Sequence, residues 1–307
     1  MKNFFTVFFG GLACLILCFA VLAILKTAQN FRKQTLITTP VTTLTALQEE
    51  GESSFSESRP LSTSTITAKA YIVRDLTTNK VILEKDSDKL LPIASLTKLI
   101  TASVARRLID PNTRITMNSL ILQTYGNTAN FRNGETYSIS DLLYPLLMVS
   151  SNDAAEALAF VYGRAKFINA MNDFMQSIGA YRTSIADPAG LSPNSISTAS
   201  DMARVIDWIR LNDPVILKIT ELKNITVRDH NWVNPTHFLS WSNYLGGKNG
   251  YLPEANRTGI GLFSVGQSSD IYAVVVLGSS TRDQDVETLL AQINTSQMNV
   301  RQNRKND

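Results

Sequence analysis

The chain has 307 residues, of which 44% are hydrophobic and 18% charged, so it can form a sizeable core and is too apolar for a disordered protein. A formal net charge of +3, with no basic stripe inside the chain, argues against a nucleic-acid partner. Two cysteines and two histidines are too few for a disulfide framework and argue against a zinc finger.

The first 27 residues predict a membrane anchor. Phe4 to Leu25 form an apolar run between Lys2 and Lys26, and as a helix this run would be about 33 Å long, enough to cross a bilayer. The alternative is a cleavable signal peptide, which has a shorter apolar centre and a small-residue cleavage site that is not evident here. Lys2 and the amino terminus lie on one side of the run and Lys26, Arg32 and Lys33 on the other, so the positive-inside rule is indecisive or mildly favours a domain in the cytosol.

Three further segments follow the anchor. Residues 28–66 are rich in serine and threonine and predict a flexible stem, because such a tract buries too little apolar surface to offset its ordering entropy. Residues 67–290 carry the apolar patterns of one folded domain. Residues 291–307 are expected to complete a last helix and form a polar tail.

The domain has strand patterns at both ends and helical patterns between them. The predicted strands are 68–75, 81–85, 259–265 and 271–278, and the predicted helices are 95–109, 140–148, 153–163, 166–178, 198–211 and 283–297. This order favours an α+β fold in which the terminal segments share one antiparallel sheet, flanked by helices, around a helical middle region.

The helix predicted at 95–109 begins with Ser95 and Lys98, which are three residues apart and therefore lie on one side of it. A serine hydroxyl becomes a good nucleophile when a neighbouring base removes its proton, and an uncharged lysine can be that base if burial or another cation lowers its pKa. The spacing alone is weak, because a serine near a helix start and a solvated lysine would look the same.

Two later motifs are also ambiguous when taken singly. Ser150-Ser151-Asn152-Asp153 interrupts an apolar helical pattern and could be a helix cap or the rim of a cleft facing Ser95. Lys248-Asn249-Gly250 precedes the last strands and could be the tip of a hairpin with an exposed lysine.

In this order the three motifs resemble those of the penicillin-recognising serine DD-peptidases, specifically the D-alanyl-D-alanine carboxypeptidase family. That family carries Ser-x-x-Lys, Ser-x-Asn and Lys-Thr-Gly. Residues 91–99, 187–193 and 251–255 are also similar to family segments, and the resemblance covers residues 67–290. It implies a DD-peptidase/β-lactamase-like fold.

The resemblance also implies a role for each motif residue. Ser95 would attack the carbonyl of a terminal D-Ala-D-Ala bond and form an acyl-enzyme. Lys98 would be the general base, and Ser150 would pass a proton to the leaving amine. No cofactor and no metal would be needed. A histidine triad using His230 or His237 stays an alternative.

The remaining motif residues would bind the substrate. Asn152 would hold a substrate amide, and Lys248 would supply positive charge near the substrate carboxylate. The backbone N–H groups of Ser95 and Tyr251 would form the oxyanion hole, and Gly250 would allow the strand to approach closely. The partners implied are peptidoglycan stem peptides as substrate and β-lactams as inhibitors.

Two departures from the family pattern concern the substrate carboxylate. Asn249 stands where relatives have threonine or serine. Residues 267–270 also lack the cation that many relatives place before the last strand, so Arg257 or Arg282 would have to substitute.

Two alternatives to a peptidase remain. Asn249 is compatible with a catalytically silent, peptidoglycan-binding homologue. A class A-like β-lactamase would need a glutamate between the second and third motifs, where residues 185–200 contain Asp187 but no glutamate. If the chain is the peptidase, we expect a single-pass protein of the bacterial cell membrane with its catalytic domain outside the cytoplasm.

Overall fold

The computed structural model describes residues 65–126, 128–266 and 270–306, with side chains described up to residue 295. The predicted anchor over residues 1–27 and nearly all of the predicted stem therefore lie outside the described residues. Within those described ranges, no helix combines the length and apolar character needed to span a membrane.

The described residues contain eleven strands and seven α-helices. The strands are β1 (Ala70–Asp75), β2 (Lys80–Lys85), β3 (Leu91–Pro92), β4 (Arg114–Thr116), β5 (Thr136–Ser138), β6 (Ile196–Ser197), β7 (Asn224–Val227), β8 (His230–Val233), β9 (Tyr244–Leu252), β10 (Asn256–Val265) and β11 (Asp270–Ser279). The helices are α1 (Thr97–Leu108), α2 (Ile139–Met148), α3 (Asn152–Tyr162), α4 (Arg164–Ser177), α5 (Ala199–Asn212), α6 (Val215–Thr220) and α7 (Arg282–Asn306).

The main sheet has five antiparallel strands in the order β2-β1-β11-β10-β9. The first and last strands of the domain pair at its centre, with Ala70 opposite Leu277 and Val73 opposite Val274. The predicted α+β fold, with one antiparallel sheet built from both ends of the domain, is therefore confirmed.

Both faces of this sheet are covered. Alternate side chains point to opposite faces of a strand, so Ile72 and Val275 pack against the helical middle region, whereas Val73 and Val274 pack against α7. The core on the α7 side also contains an aromatic group around Phe263. Burial on both faces explains why β11 is a continuous apolar run rather than an alternating one.

Sequence periodicity located most helices within a few residues but missed α6, the strand β9 and the six short strands β3 to β8. The helix α6 has only six residues, too few for a clear helical period. The hairpin-tip interpretation of Lys248-Asn249-Gly250 is wrong, because Asn249 lies within β9 and pairs with Gly259 of β10. Glycine-rich strands give a weak strand pattern because glycine has low strand propensity.

A hydrogen-bond cluster around Asp285 joins the start of the domain to the first turn of α7. The buried Asp285 carboxylate accepts hydrogen bonds from the Thr67 backbone N–H (2.9 Å), the Thr67 hydroxyl (2.9 Å) and the Ser279 hydroxyl (2.6 Å). This cluster holds the beginning of α7 against the end of β11.

Gly190 packs against the turn that carries Ser95. It has a φ of +74°, and a Cβ atom built on it would lie 2.6 Å from the carbonyl carbon of Ala94, a residue that itself has a φ of +49°. The backbone of residue 190 therefore supports the turn directly.

We expect Gly190→Ala to lower the free energy of unfolding by about 3 kcal/mol, because it adds a backbone clash to the cost of a positive φ. The measurement is urea denaturation of the folded domain. Gly134→Ala is the matched control, since Gly134 has a φ of +90° with nothing within 4 Å of an added Cβ, and we expect it to cost about 1 kcal/mol. Equal losses in the two variants would contradict the packing argument.

Candidate active site

Ser95 and Lys98 meet at the start of α1. Ser95 lies in a short 3-10 helix, Ala94–Leu96, and Lys98 lies in the first turn of α1 directly after it. The Lys98 Nζ is 3.0 Å from the Ser95 Oγ. The predicted contact between these two side chains is therefore present in the structure.

Lys98 is fully buried, and its ammonium group contacts two carbonyl oxygens. Its Nζ donates to Asn152 Oδ1 at 2.7 Å and to the Ala189 backbone oxygen at 2.6 Å. Burial lowers the pKa of Lys98 well below its ordinary value, and the positive charge of Lys248 lowers it further. A neutral lysine amine has two N–H donors and one lone pair. Because carbonyl oxygens only accept, they occupy both donors and leave the lone pair for the Ser95 hydroxyl.

Asp187 organises the loop that supplies the Ala189 oxygen. Its carboxylate accepts hydrogen bonds from the backbone N–H groups of four residues at 2.7–3.0 Å, namely Ala189, Gly190, Leu191 and Ser192. It is also 7% exposed. Asp187 therefore stabilises a turn, and its oxygens are not free to activate water.

Ser150 and Asn152 lie at the junction of α2 and α3. Ser150 has a φ of +59°, and its buried Oγ has no hydrogen-bond partner in the part of the chain that the structure describes. Ser151 caps α3 by accepting from the Ala154 N–H, so the helix-cap interpretation holds for this neighbour.

The Asn152 amide is held on both sides. Its Oδ1 accepts from Lys98, and its Nδ2 donates to the Tyr125 backbone oxygen at 2.6 Å. The Tyr125 bond fixes the orientation of the amide, and one N–H of Nδ2 stays available. Asn152 therefore positions Lys98 in addition to any contact with substrate.

Lys248 and Asn249 lie on β9, the edge strand of the main sheet. Lys248 is buried, and its pKa is lowered to about 7, first by burial and then by the positive charge of Arg282. Asn249 Nδ2 donates to the Thr236 hydroxyl at 3.0 Å, while its buried Oδ1 has no hydrogen-bond partner among the described residues.

Gly250 lets β9 approach the nucleophile. A Cβ atom built on Gly250 would lie 2.8 Å from the Ser95 backbone nitrogen and 2.6 Å from the Thr258 Oγ1. Any larger residue would push the strand away from Ser95. The next residue, Tyr251, has an exposed side chain and pairs through its backbone with Arg257.

A cavity of about 280 Å³ lies between these elements. It is lined by six of the eight predicted site residues, Ser95, Ser150, Lys248, Asn249, Gly250 and Tyr251. The other two, Lys98 and Asn152, are connected to it through the hydrogen bonds of Lys98. The structure thus brings together segments that are more than 150 residues apart in sequence.

Arg282 lines this cavity, whereas Arg257, the other cation considered for the substrate carboxylate, does not. The methylene groups of Arg282 pass over Gly259, where an added Cβ would lie 2.6 Å from Arg282 Cδ. Its Nε donates to Asp283 at 2.7 Å. Asn234, Pro235 and Thr236 also line the cavity, and no sequence signal identified them.

Neither His230 nor His237 lines the cavity that contains Ser95. His230 Nε2 is 3.0 Å from Glu135, and these two residues and Asp229 form a group whose ligand atoms lie within 4.8 Å of one another. Glu135 also bonds Tyr137, and Arg132 pairs with Asp229, so protein groups already occupy these side chains. The geometry does not support a histidine triad with Ser95.

Comparison with known sequences agrees with this geometry. The profile of the D-alanyl-D-alanine carboxypeptidase family matches residues 54–281. D-alanyl-D-alanine carboxypeptidase DacB2 of Mycobacterium tuberculosis is 31% identical over 217 residues, which are 68% of this chain and 74% of that protein. A D-alanyl-D-alanine endopeptidase of Escherichia coli is 36% identical over 146 residues, so the match spans about half of each protein, 46% of this chain and 47% of the relative.

Solved structures show the same fold. A crystal structure of a D-alanyl-D-alanine carboxypeptidase from Mycobacterium tuberculosis has a TM-score of 0.68 and 27% identity, covering 76% of this chain and 92% of that one. D-alanyl-D-alanine carboxypeptidase DacD from Francisella tularensis has a TM-score of 0.67 and 22% identity, covering 78% and 73%. Ser95 lines the cavity and is bonded to the buried Lys98, and the family profile matches most of the chain. This chain therefore belongs to the D-alanyl-D-alanine carboxypeptidase family of serine peptidases.

Proposed function

We propose that the protein removes the terminal D-alanine from peptidoglycan stem peptides through an acyl-enzyme on Ser95, and that β-lactams acylate the same residue. The observation that carries this proposal is the environment of Lys98. Two carbonyl oxygens occupy its donors, burial lowers its pKa, and its Nζ is 3.0 Å from Ser95 Oγ. A lysine held in this way can act as an uncharged base toward Ser95.

Acylation follows from this arrangement. Lys98 takes the hydroxyl proton as Ser95 Oγ attacks the carbonyl carbon of the penultimate D-alanine. The backbone N–H groups of Ser95 and Tyr251 stabilise the oxyanion. As the C–N bond breaks, Ser150 gives its proton to the nitrogen of the leaving D-alanine and takes up the proton held by Lys98, so that Lys98 is neutral again. Lys98 then removes a proton from the water that attacks the ester carbonyl and returns it to Ser95 Oγ as the ester bond breaks, which releases the shortened peptide and restores the Ser95 hydroxyl.

Part of the cavity lining suits a carboxylate. Lys248 and Arg282 place two cationic groups there, and Asn249 lies beside them. In the opposite orientation of the Asn249 amide, Oδ1 accepts from the Thr236 hydroxyl, so this buried oxygen gains a partner and Nδ2 takes its present place.

The two alternative functions have less support. A silent homologue would not need Lys98 to be desolvated and directed at Ser95. A class A-like β-lactamase needs a carboxylate that activates water, and Asp187 is bonded to four backbone N–H groups instead. The named relatives include both carboxypeptidases and endopeptidases, so the identity of the bond that is cut is part of the proposal.

Labelling with a fluorescent penicillin tests the nucleophile. We expect the wild-type protein to form a stable covalent adduct, and Ser95→Ala to form none, because Ser95 carries the hydroxyl that Lys98 Nζ bonds among the described residues. Ser140→Ala, in α2 and outside the cavity, is the matched control and should be labelled like wild type. D-alanine release from a synthetic pentapeptide should follow the same pattern. Labelling of Ser95→Ala at the wild-type rate would refute the assignment.

Arg282→Gln tests the carboxylate site. We expect KM for the pentapeptide to rise about tenfold with a smaller change in kcat, because a charged contact to the substrate is lost. The pH profile of kcat/KM should change as well. Binding of the substrate carboxylate needs protonated Lys248, so wild-type activity falls as pH rises through about 7, the pKa of Lys248. Removal of the Arg282 charge raises this pKa, and the variant should therefore lose activity at higher pH than the wild type.

The control for this variant is Arg257→Gln, which removes an exposed arginine of β10 that does not line the cavity. It should retain the wild-type KM and pH profile. Identical behaviour of the two variants would show that Arg282 does not bind the substrate carboxylate.

We also propose that residues 1–27 anchor the protein in the cell membrane as a single span and that the domain lies outside the cytoplasm, where peptidoglycan is found. The support is the apolar run from Phe4 to Leu25 together with the family to which the domain belongs. Protease added to intact cells, after the outer membrane is permeabilised if there is one, should digest the domain. Protection of the domain under those conditions would contradict this orientation.

A further inference from the structure

Three residues of the cavity lining, Asn234, Pro235 and Thr236, belong to the chain between β8 and β9. We refer to them as the 234–236 segment. None of the three takes part in the chemistry assigned to Ser95. Thr236 nevertheless contacts Asn249, the residue at which this chain departs from the threonine or serine of the family motif. The segment therefore connects the cavity wall to the unusual position of the third motif.

Asn234 is held at three points. Its backbone N–H donates to the Lys223 oxygen at 2.9 Å, and its Nδ2 donates to the Thr220 oxygen at 3.0 Å. Its Oδ1 accepts from the Thr236 N–H at 3.1 Å, which closes an Asx turn. Pro235 lies inside this turn and restricts the backbone of residue 234 as well as its own. Thr236 is therefore presented by a rigid turn.

Thr220, the last residue of α6, binds both the segment and β9. Its backbone oxygen accepts from Asn234, and its buried hydroxyl accepts from the Gly247 N–H at 3.0 Å. The strand packs closely at this point, since a Cβ atom built on Gly246 would lie 2.8 Å from the Thr220 Oγ1. The end of α6 thus fixes the 234–236 segment relative to β9.

The Thr236 hydroxyl extends this connection to Lys248. Asn249 Nδ2 donates to the Thr236 Oγ1 at 3.0 Å, and the Asn249 backbone oxygen accepts from the Lys248 Nζ at 2.8 Å. A hydroxyl can donate or accept, so Thr236 is a partner for the Asn249 amide in either orientation. The residue that accepts a hydrogen bond from the Lys248 ammonium is therefore itself held through its side chain.

We propose that Thr236, presented by Asn234, is a positioning residue for the carboxylate part of the site. Its hydroxyl fixes Asn249, and the Asn249 backbone in turn fixes the ammonium of Lys248. This inference rests on the proposed function, because it takes Lys248 as a partner of the substrate carboxylate.

The contact is specific to an asparagine at position 249. A threonine carries its hydroxyl on Cβ, one bond nearer to the backbone than the amide nitrogen of asparagine. From the same backbone position, a threonine hydroxyl at 249 would not reach the Thr236 Oγ1. Thr236 and Asn249 should therefore act as a pair, and the loss of one should remove the effect of the other.

Thr236→Val and Thr236→Ser test the hydroxyl. Valine keeps the shape of threonine without the hydroxyl, and serine keeps the hydroxyl. We expect Thr236→Val to raise KM for D-alanine release from the synthetic pentapeptide about fivefold with less than a twofold change in kcat, as the loss of one hydrogen bond that acts on binding would give. Thr236→Ser should stay within about twofold of the wild-type KM.

Thr116→Val is the matched control. It also removes the hydroxyl of a threonine that bonds another side chain, the Thr136 hydroxyl at 2.9 Å, but it lies on β4 and does not line the cavity. It should retain the wild-type KM and kcat. An equal rise of KM in Thr116→Val and Thr236→Val would overturn the assignment, and so would equal impairment in Thr236→Val and Thr236→Ser.

Two double variants test the order of the contacts. Asn234→Ala should raise KM by about the same factor as Thr236→Val, and the two changes together should be no more than about twofold worse than the more impaired single variant, because they act in series. Independent contributions would instead multiply to about 25-fold and would overturn the series. In an Asn249→Thr background, Thr236→Val should change KM by less than about twofold.

Labelling at a saturating concentration of fluorescent penicillin separates this inference from the proposed function. Every variant should be labelled to the wild-type extent, which shows that it is folded and that Ser95 is reactive. Wild-type protein that is labelled and releases D-alanine, with an unchanged KM in both Thr236→Val and Asn234→Ala, would overturn the positioning role alone. Wild-type protein that is neither labelled nor active would overturn the proposed function and the positioning role with it.

Discussion

The removal of Lys98 from water is the constraint on which the rest of the site depends. A buried ammonium is costly unless its N–H donors are satisfied, and here two carbonyl oxygens satisfy them without supplying a negative charge. A carboxylate in the same place would hold the lysine in its charged form. The protein thus provides hydrogen bonds that a neutral amine can also make, and in the neutral state its lone pair is left for Ser95.

Much of the surrounding structure serves to hold those two carbonyl groups. Asp187 uses its carboxylate to fold the loop that carries Ala189, and it does so through backbone N–H groups rather than through Lys98. Tyr125 fixes the orientation of the Asn152 amide. A negative charge therefore lies near Lys98, but it is committed to the backbone, and burial remains the largest influence on the pKa of Lys98.

The first residue of helix α3 takes part in the site. Asn152 accepts a hydrogen bond from Lys98 there. On the other side of Ser95, the main sheet brings β9 close through Gly250, and α7 supplies Arg282. The hydrogen bonds of Asp285 to Thr67 and Ser279 hold the first turn of α7 in position. Helix and sheet thus approach one nucleophile from two sides.

The sequence by itself determined the features that depend on local spacing. Ser95 and Lys98 lie one helical turn apart, and the apolar run of β11 identifies a strand buried on both faces. The order of three short motifs resembled one family, which the comparisons confirm. Local patterns could not show that Asn249 lies inside β9 and not at a hairpin tip, because glycine-rich strands lack a clear period. Only the tertiary structure placed Arg282 at the cavity and Thr236 against Asn249. Each of these depends on contacts between segments distant in sequence, and such contacts follow from how the helices pack on the sheet.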